Sequence, residues 1–477
     1  NYLGSGGIAY YANSNSSVTN VAVQWSIYGY ADTAAGIVAS LHTSDLDQGR
    51  AHVSISQSDG TTAGGVGYAH SANVSCISAA GSASGTADYY YSSGSVSVAG
   101  LISNLVNSNL TDSYSKNAAS ASHDSSSSSS NTLSGLVNNV NNSNVSRVFA
   151  EGSVNNDAGS SSSTSDSVGG LFYSISNNSV VVDCYSQATV QLSNISSSSY
   201  SHDIGGVVTS LSNSDISRCY TTSNLNYYDD GSSYGSVGGF VSSIGSTSSI
   251  TDSFSTGDFY DDSGSNYGSV TVGAFTASYV SSITNSYHYS TTHTTCDDSS
   301  NYAGCSRATG VSQFYTSTNS PLANWDFSAS GPWDDVNEGV DYPVLKDDCS
   351  REVLDIEIIF GAASYPGGGN FTIKNASTSE VIFDLDDYTN VTAAAKAFQQ
   401  LLDQNVVVWS KFIPGGPNGR VHFYVQNLDG SAVDETQLSI NGLYLDNSSD
   451  VLMEWTGAGS GVVSDISADL AEFDMYH

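Results

Sequence analysis

Residues 168–185 read VGGLFYSISNNSVVVDCY, and residues 204–220 read IGGVVTSLSNSDISRCY. The two stretches share a frame. Gly170-Leu171 and Gly206-Val207 stand near their starts, and Val181-Val182-Asp183-Cys184-Tyr185 and Ile216-Ser217-Arg218-Cys219-Tyr220 close them. The small-residue and apolar anchor recurs at Gly7-Ile8, Gly36-Ile37, Gly65-Val66, Gly100-Leu101, Gly135-Leu136, Gly239-Phe240, Ala274-Phe275 and Gly310-Val311. Successive anchors stand 29, 29, 35, 35, 35, 36, 33, 35 and 36 residues apart. The closing element, apolar-x-x-small-aromatic, recurs at Leu110–Tyr114, Val145–Phe149, Ile250–Phe254 and Ile283–Tyr287. A period sustained from Gly7 to Gly310 identifies a repeat architecture.

Each unit holds two or three short segments rich in Val, Ile, Leu, Tyr and Phe, punctuated by Gly, Asn and Ser, which is strand composition. No unit carries a long stretch of 3.6-residue periodicity, so helical repeats are excluded. One such unit cannot bury its apolar side alone, whereas a stack of them can. The expected fold is mainly β: a right-handed parallel β-solenoid (β-helix) of about ten coils over residues 1–348. The hand is that of parallel crossovers in general. The anchor glycine is expected at a tight corner, where a side chain would clash or φ must be positive. Stacking would place Tyr114, Phe149, Tyr185, Tyr220, Phe254 and Tyr287 in one aromatic ladder. Tyrosine's polar tip suits either a half-buried core stack or a sugar-binding strip.

Six cysteines, with spacings unlike zinc ribbons, point to an oxidising compartment. Cys184 and Cys219 occupy the same motif position in neighbouring units, and coil spacing lies within the reach of a disulfide. Cys296 and Cys305 would close a short loop. Cys76 and Cys349 are left over, either free or paired with another chain.

The variable segments share a phase, each preceding an anchor: Ser125–Ser130, Ser160–Ser163, Ser196–Ser199, Tyr227–Ser233 and Phe259–Ser265. They would form one loop edge, the usual place for a binding face on a repeat protein. Asp229-Asp230, Asp261-Asp262 and Asp297-Asp298 offer oxygen ligands for a structural Ca²⁺, although no calcium-loop spacing accompanies them. Solvated turns are the simpler reading of them. Sequons stand at Asn15, Asn73, Asn109, Asn141, Asn144, Asn177, Asn194, Asn370, Asn375, Asn390 and Asn447. With the cysteines they favour a secreted glycoprotein.

Anchor and closing element together resemble the GLUG-motif repeats of bacterial and protist surface proteins, over roughly residues 1–346. Trp325-Asp326-Phe327, Trp333 and Tyr342-Pro343-Val344-Leu345 look like the ending of such arrays. The first two or three units depart from the pattern, lacking the closing aromatic.

Composition changes after Cys349. Val353–Phe360, Asn370–Lys374, Val381–Leu385, Val406–Phe412, Arg420–Gln426 and Gln437–Leu445 read as strands. Val391–Leu402 reads as an amphipathic helix with Thr392 as N-cap. Residues 349–477 are therefore expected to form an α+β or β-sandwich-like domain that caps the solenoid or assembles copies of it.

Lys and Arg number 11 against 46 Asp and Glu, a net charge of −35. Such a field repels nucleic acid and anionic membranes. No apolar run is long enough to span a bilayer, and no signal-peptide pattern opens the chain, as in a mature or trimmed protein. The solenoid's basic residues, Arg50, Lys116, Arg147, Arg218 and Arg307, are scattered over different units. That speaks against a β-helix lyase. Gly231-Ser232-Ser233-Tyr234-Gly235 matches the nucleophile-elbow string but lies in a Ser/Gly-rich turn. The reading is an extracellular, non-catalytic structural protein without a cofactor beyond that possible Ca²⁺, self-associating through its solenoid ends or C-terminal domain. An adhesin that takes glycan or protein on the loop edge is the alternative. A glycan-active enzyme ranks third.

Overall fold

The structure is a computed structural model. It describes residues 4–473 apart from short segments, the longest being 88–94, 124–129, 159–164, 196–200, 230–233, 262–268, 335–339, 347–350, 360–368, 414–419, 428–437 and 463–469. The chain divides into two compact units, Asn1–Lys346 and Asp347–His477.

The first unit is a parallel β-solenoid of three sheets. One runs from Gly4–Gly6 to Ser269–Gly273 in nine strands, and a second from Ala9–Asn13 to Val241–Ile244 in eight. The third contains the long strands Ser17–Gly29, Asp45–Ser58, Asn73–Ala87 and Asn109–His123. Neighbouring strands pair in parallel with equivalent residues opposite: Tyr114 on Phe149, Tyr185 on Tyr220, Cys184 on Cys219. Ile37, Val66, Leu101, Leu136, Leu171, Val207 and Phe240 fill a dry core between the sheets. A second, smaller core, with Val98, Leu133, Val168 and Ile204, lies at the distal end of the coils between Ala83 and Ala274.

The described residues form fewer coils than the ten expected, and the first sheet stacks nine strands. The last expected anchor, Gly310-Val311, opens a 3-10 helix over Val311–Tyr315 instead of a strand. The anchor column ends earlier, on a cysteine. Phe240 and Val241 donate their amides to the Phe275 carbonyl at 2.8 and 3.0 Å; Phe275 and Thr276 donate theirs to the Cys296 carbonyl at 2.9 and 3.0 Å. Cys296, pinned to Cys305, thus takes the next rung and closes the described edge of the stack.

The phase of the third anchor also shifts by one. The amides of Gly65 and Val66 both point to the Leu101 carbonyl, so Gly65 occupies the apolar position and Gly64 the corner. Early coils are shorter as well. Ser17 pairs with Asp45 and Asp45 with Asn73, steps of 28 residues, whereas Asn73 pairs with Asn109 and Asn109 with Asn144. The added residues of the later coils fall before the anchor.

The corner glycines are required by close approach. A Cβ on Gly100 would lie 1.9 Å from the Gly135 carbonyl oxygen, on Gly170 2.0 Å from that of Gly206, and on Gly206 2.0 Å from that of Gly239. None of these three has positive φ, so only the steric half of the expectation holds. Positive φ belongs to other residues. The third residue of the closing element is left-handed in every coil that carries it: Asp112, Arg147, Asp183, Arg218, Asp252 and Asn285, with φ from 44 to 55°. Leu110 and Ser113, on either side of that kink, are both buried.

Among its described residues the second unit has two four-stranded antiparallel sheets, a two-stranded one and one α-helix, Val391–Leu401. Its core includes Phe383, Phe398, Phe423 and Val425. The expected strands appear within a residue or two, except that Gln437–Leu445 resolves into a short hairpin, Ser439–Ile440 and Leu443–Tyr444, turning on Asn441-Gly442. Val451–Gly457 and Leu470–Phe473 are strands not foreseen. Thr392 lies inside the helix and is not its N-cap.

Candidate functional site

The aromatic ladder forms. Tyr114 stacks on Phe149 at 4.8 Å, Phe149 on Tyr185 at 4.7 Å, Tyr185 on Tyr220 at 5.1 Å, and Tyr220 on Phe254 at 4.8 Å, all within 11° of parallel. Its last rung is not Tyr287. The Tyr287 backbone is in register with Phe254, but Phe314 from the 3-10 helix lies on Phe254 at 4.2 Å. Trp325, Trp333 and Tyr342, further along the chain, then pack back against the ladder. Trp325 lies 5.8 Å from Phe254, and Trp333 and Tyr342 lie 6.1 and 5.8 Å from Tyr220. Hydrogen bonds pin this strap: Tyr220 Oη to the Pro343 carbonyl, Trp325 Nε1 to the Asp252 carbonyl, Trp333 Nε1 to Asp183 Oδ1, and Tyr342 Oη to Thr256. Every ring from Tyr114 to Phe254 is buried. Burial raises the Tyr220 hydroxyl well above its ordinary pKa and keeps it a neutral donor. The ladder is a core element, and its faces are not open to a sugar.

Beside it runs a charged column that the sequence reading passed over. Arg147 grips Asp112, Arg218 grips Asp183 through both oxygens at 2.7 and 2.8 Å, and Asn285 donates to Asp252. The x positions of the motif already spelled this alternation as Asp, Arg, Asp, Arg, Asp, Asn. Arg147 and Arg218 are thereby committed to coil-to-coil pairing.

The predicted disulfides Cys184–Cys219 and Cys296–Cys305 are present, with Cα separations of 4.6 and 6.1 Å. Cys76 is disulfide-bonded too, so it is not free; Cys349 lies outside the described residues.

Three sequons belong to a polar ladder. Asn73 donates to Asp45, Asn109 to Asn73 at 2.8 Å, and Asn144 to Asn109 at 3.1 Å, all exposed. Asn177 is exposed, Asn141 half-buried, and Asn375 caps its own turn through Ser377 and Thr378. Asn15, Asn390 and Asn447, and the side chains of Asn194 and Asn370, lie outside the described residues.

So do the side chains of Asp229, Asp230, Asp261 and Asp262, and most of the loop edge. Tyr227 and Phe259, read as loop, sit in strands Leu225–Asp229 and Phe259–Asp261. Asp297 is no solvated turn: it is buried and accepts from the amides of Ser299 and Ser300. Among the described residues, no group of three or more His, Cys, Asp or Glu could hold a metal ion.

One buried polar constellation went unforeseen. His123 Nε2 lies 3.0 Å from Asp166 Oδ1, which also accepts the Asn131 amide at 2.7 Å, and the Asp166 amide donates to His202 Nδ1 at 3.3 Å. His123 and Asp166 side chains are fully enclosed in the distal core. Without solvent access, such a pair is suited to holding coils together. Its only sequence signal is spacing: Asn131, Asp166 and His202 are one repeat apart.

No helix among the described residues is long and apolar enough to cross a membrane. No family model matches the chain, and neither a curated protein nor a solved structure is detectably similar to it.

Proposed function

We propose that this chain is an extracellular, non-catalytic structural protein, a subunit of a surface filament or coat. The observation that carries the reading is the use of side chains to join coil to coil. Ser108, Ser143, Ser179, Ser214 and Ser248 each accept the amide of the preceding coil's equivalent residue at 3.0 to 3.3 Å. Asn142 donates to Asn107 and Asn213 to Asn178 in a second column. With the aspartate–arginine column, the aromatic ladder and the Cys184–Cys219 bond, these make a stiff rod whose polar groups are spent on its own stacking.

Disulfides and sequons fit a secreted glycoprotein, and the similarity to GLUG-type repeats fits a surface location. Self-association would run through the first coil, whose strands pair on one side among the described residues, and where Ile8, Tyr11 and Tyr28 are 50, 51 and 74 % exposed. Strand continuation at the other end is blocked, because the Thr295 and Cys296 carbonyls already take the edge amides of Ala274, Phe275 and Thr276. A filament would therefore combine a first-coil contact with one made by the second unit. Analytical ultracentrifugation over a range of concentrations tests it. Mass should grow with concentration, and Tyr28→Lys should suppress the growth; a monomer at every concentration overturns the reading.

A further inference from the structure

On the second sheet a small residue falls between two tyrosines. Tyr11, Ser40 and Tyr68 share a column, and Asn13, His42 and His70 share the next one along the strands. The His42 and His70 rings stack at 4.7 Å and 17°, so their planes lie across the solenoid axis. The Tyr68 ring is 11° from the His70 plane with centroids 6.2 Å apart, so it stands beside His70 in the same layer. Its face therefore looks along the axis toward the layer of Ser40, where there is no ring. Tyr11 stands one coil further. Both tyrosines are on the surface, 51 and 37 % exposed.

Two coil spacings separate the backbone positions of Tyr11 and Tyr68, about 9.5 Å. The buried ladder shows what such an interval holds. Phe149 sits between Tyr114 and Tyr185 at 4.8 and 4.7 Å, one six-membered ring between two others. The slot above Ser40 thus has the thickness of one ring. Its floor is a hydroxyl and its side wall an imidazole, both able to donate and accept hydrogen bonds. A purely apolar ring would leave these groups without partners, whereas a hydroxylated ring satisfies them. Charge narrows the class further. The register continues the two columns as Asn104, Asn139, Ser174 and Ser210, and as Val106, Asn141, Ser176 and Ser212, with no Lys or Arg to receive an anion. In a chain of net charge −35, that favours a neutral ligand.

We propose that the Ser40 slot is a binding site for one neutral pyranose unit of a glycan. Its apolar face packs on Tyr68, its opposite face meets Tyr11, and its hydroxyls bond Ser40 and His42. The site shares Tyr11 with the first-coil surface of the self-association reading but not Ser40 or Tyr68, so variants at those two residues separate the two readings.

The test is a glycan array probed with the full chain, followed by calorimetric titration of the best neutral glycan. Ser40→Tyr fills the slot with the chain's own ring, and Tyr68→Ala removes one wall; circular dichroism checks that both variants keep their strands. Neutral glycans should bind the parent chain, and each variant should lose about tenfold in affinity, the worth of one stacked ring contact. Binding of anionic glycans only, binding undiminished in Ser40→Tyr, or no glycan binding would overturn the proposal. Loss of self-association in Ser40→Tyr without glycan binding would assign the slot to a second copy and overturn it equally.

Discussion

Arg218 holds both carboxylate oxygens of Asp183, its neighbour one coil and 35 residues away, at 2.7 and 2.8 Å. Asp183 is nearly enclosed and also accepts from the Trp333 indole, while a third of the Arg218 side chain faces solvent. The aspartate therefore serves two partners and the arginine one. Asp183→Ala should cost about 3 kcal/mol, because it orphans a half-buried cation and an indole N–H. Arg218→Ala should cost less, since Trp333 still satisfies the carboxylate. Both variants leave alanine at a left-handed φ, 55° and 51°, so that strain does not separate them. Urea denaturation of both variants and the double mutant checks the order, and equal costs would contradict it.

The corner glycines give a sharper test of the stacking geometry. In Gly170→Ala the new Cβ meets the Gly206 carbonyl at 2.0 Å, a backbone atom that cannot step aside without moving the next coil. Overpacking of this kind costs about 1–3 kcal/mol or more. Ala274 occupies the same corner in the last coil, so Ala274→Gly should cost only about 1 kcal/mol, mainly through the unfolded chain. A Gly170→Ala variant as stable as the parent would mean that the coils do not approach as described.

How much of this was legible follows from what each residue's role depends on. The solenoid, its aromatic column and the Cys184–Cys219 bond depend only on periodicity, and periodicity is written in the sequence. What was missed depends on backbone conformation or on the end of the array. The left-handed kink at Asp112 and its equivalents turns an ordinary-looking x position into a paired charge column. Gly310-Val311 has the composition of an anchor, but Cys296 had already taken the rung. The His123–Asp166 pair joins residues on two faces of the distal core, which one-dimensional spacing cannot bring together. The Ser40 slot exists only because a small residue falls between two tyrosines in a register that the shorter early coils conceal.

The end of the ladder separates the sequence reading from the structure. Phe314, fully buried, lies on Phe254 at 4.2 Å, whereas Tyr287 is half-buried and contributes its backbone. Phe314→Ala should cost about 3–5 kcal/mol and loosen the strap. Tyr287→Ala should cost clearly less. Hydrogen exchange should show the amides of Trp325 and Trp333 losing protection only in the first variant. If Tyr287→Ala proves the more damaging, Phe314 is not the ladder's last rung.

The closing coil should be the acid-sensitive part of the solenoid. Burial lowers the pKa of His288, whose Nε2–H donates to Asn301 Oδ1 at 2.8 Å; the same oxygen accepts the Cys296 amide at 2.9 Å. Burial also lowers the pKa of His293, against a smaller opposing pull from Asp258. A histidine with a depressed folded pKa binds its proton more readily when unfolded. Its penalty is absent above the ordinary value near 6.5 and grows as pH falls below it. Stability should therefore decline from about pH 6.5 downward. The loss should begin at the Cys296–Cys305 clip, because a proton on buried His288 has no carboxylate among its causes of shift and instead meets the field of Arg307. His288→Gln keeps a donor for Asn301 without a titrating ring and should flatten the decline. Urea midpoints measured from neutral to mildly acidic pH decide the matter: parallel slopes in parent and variant would remove His288 from the account, and a midpoint that rises on acidification would reverse its sign.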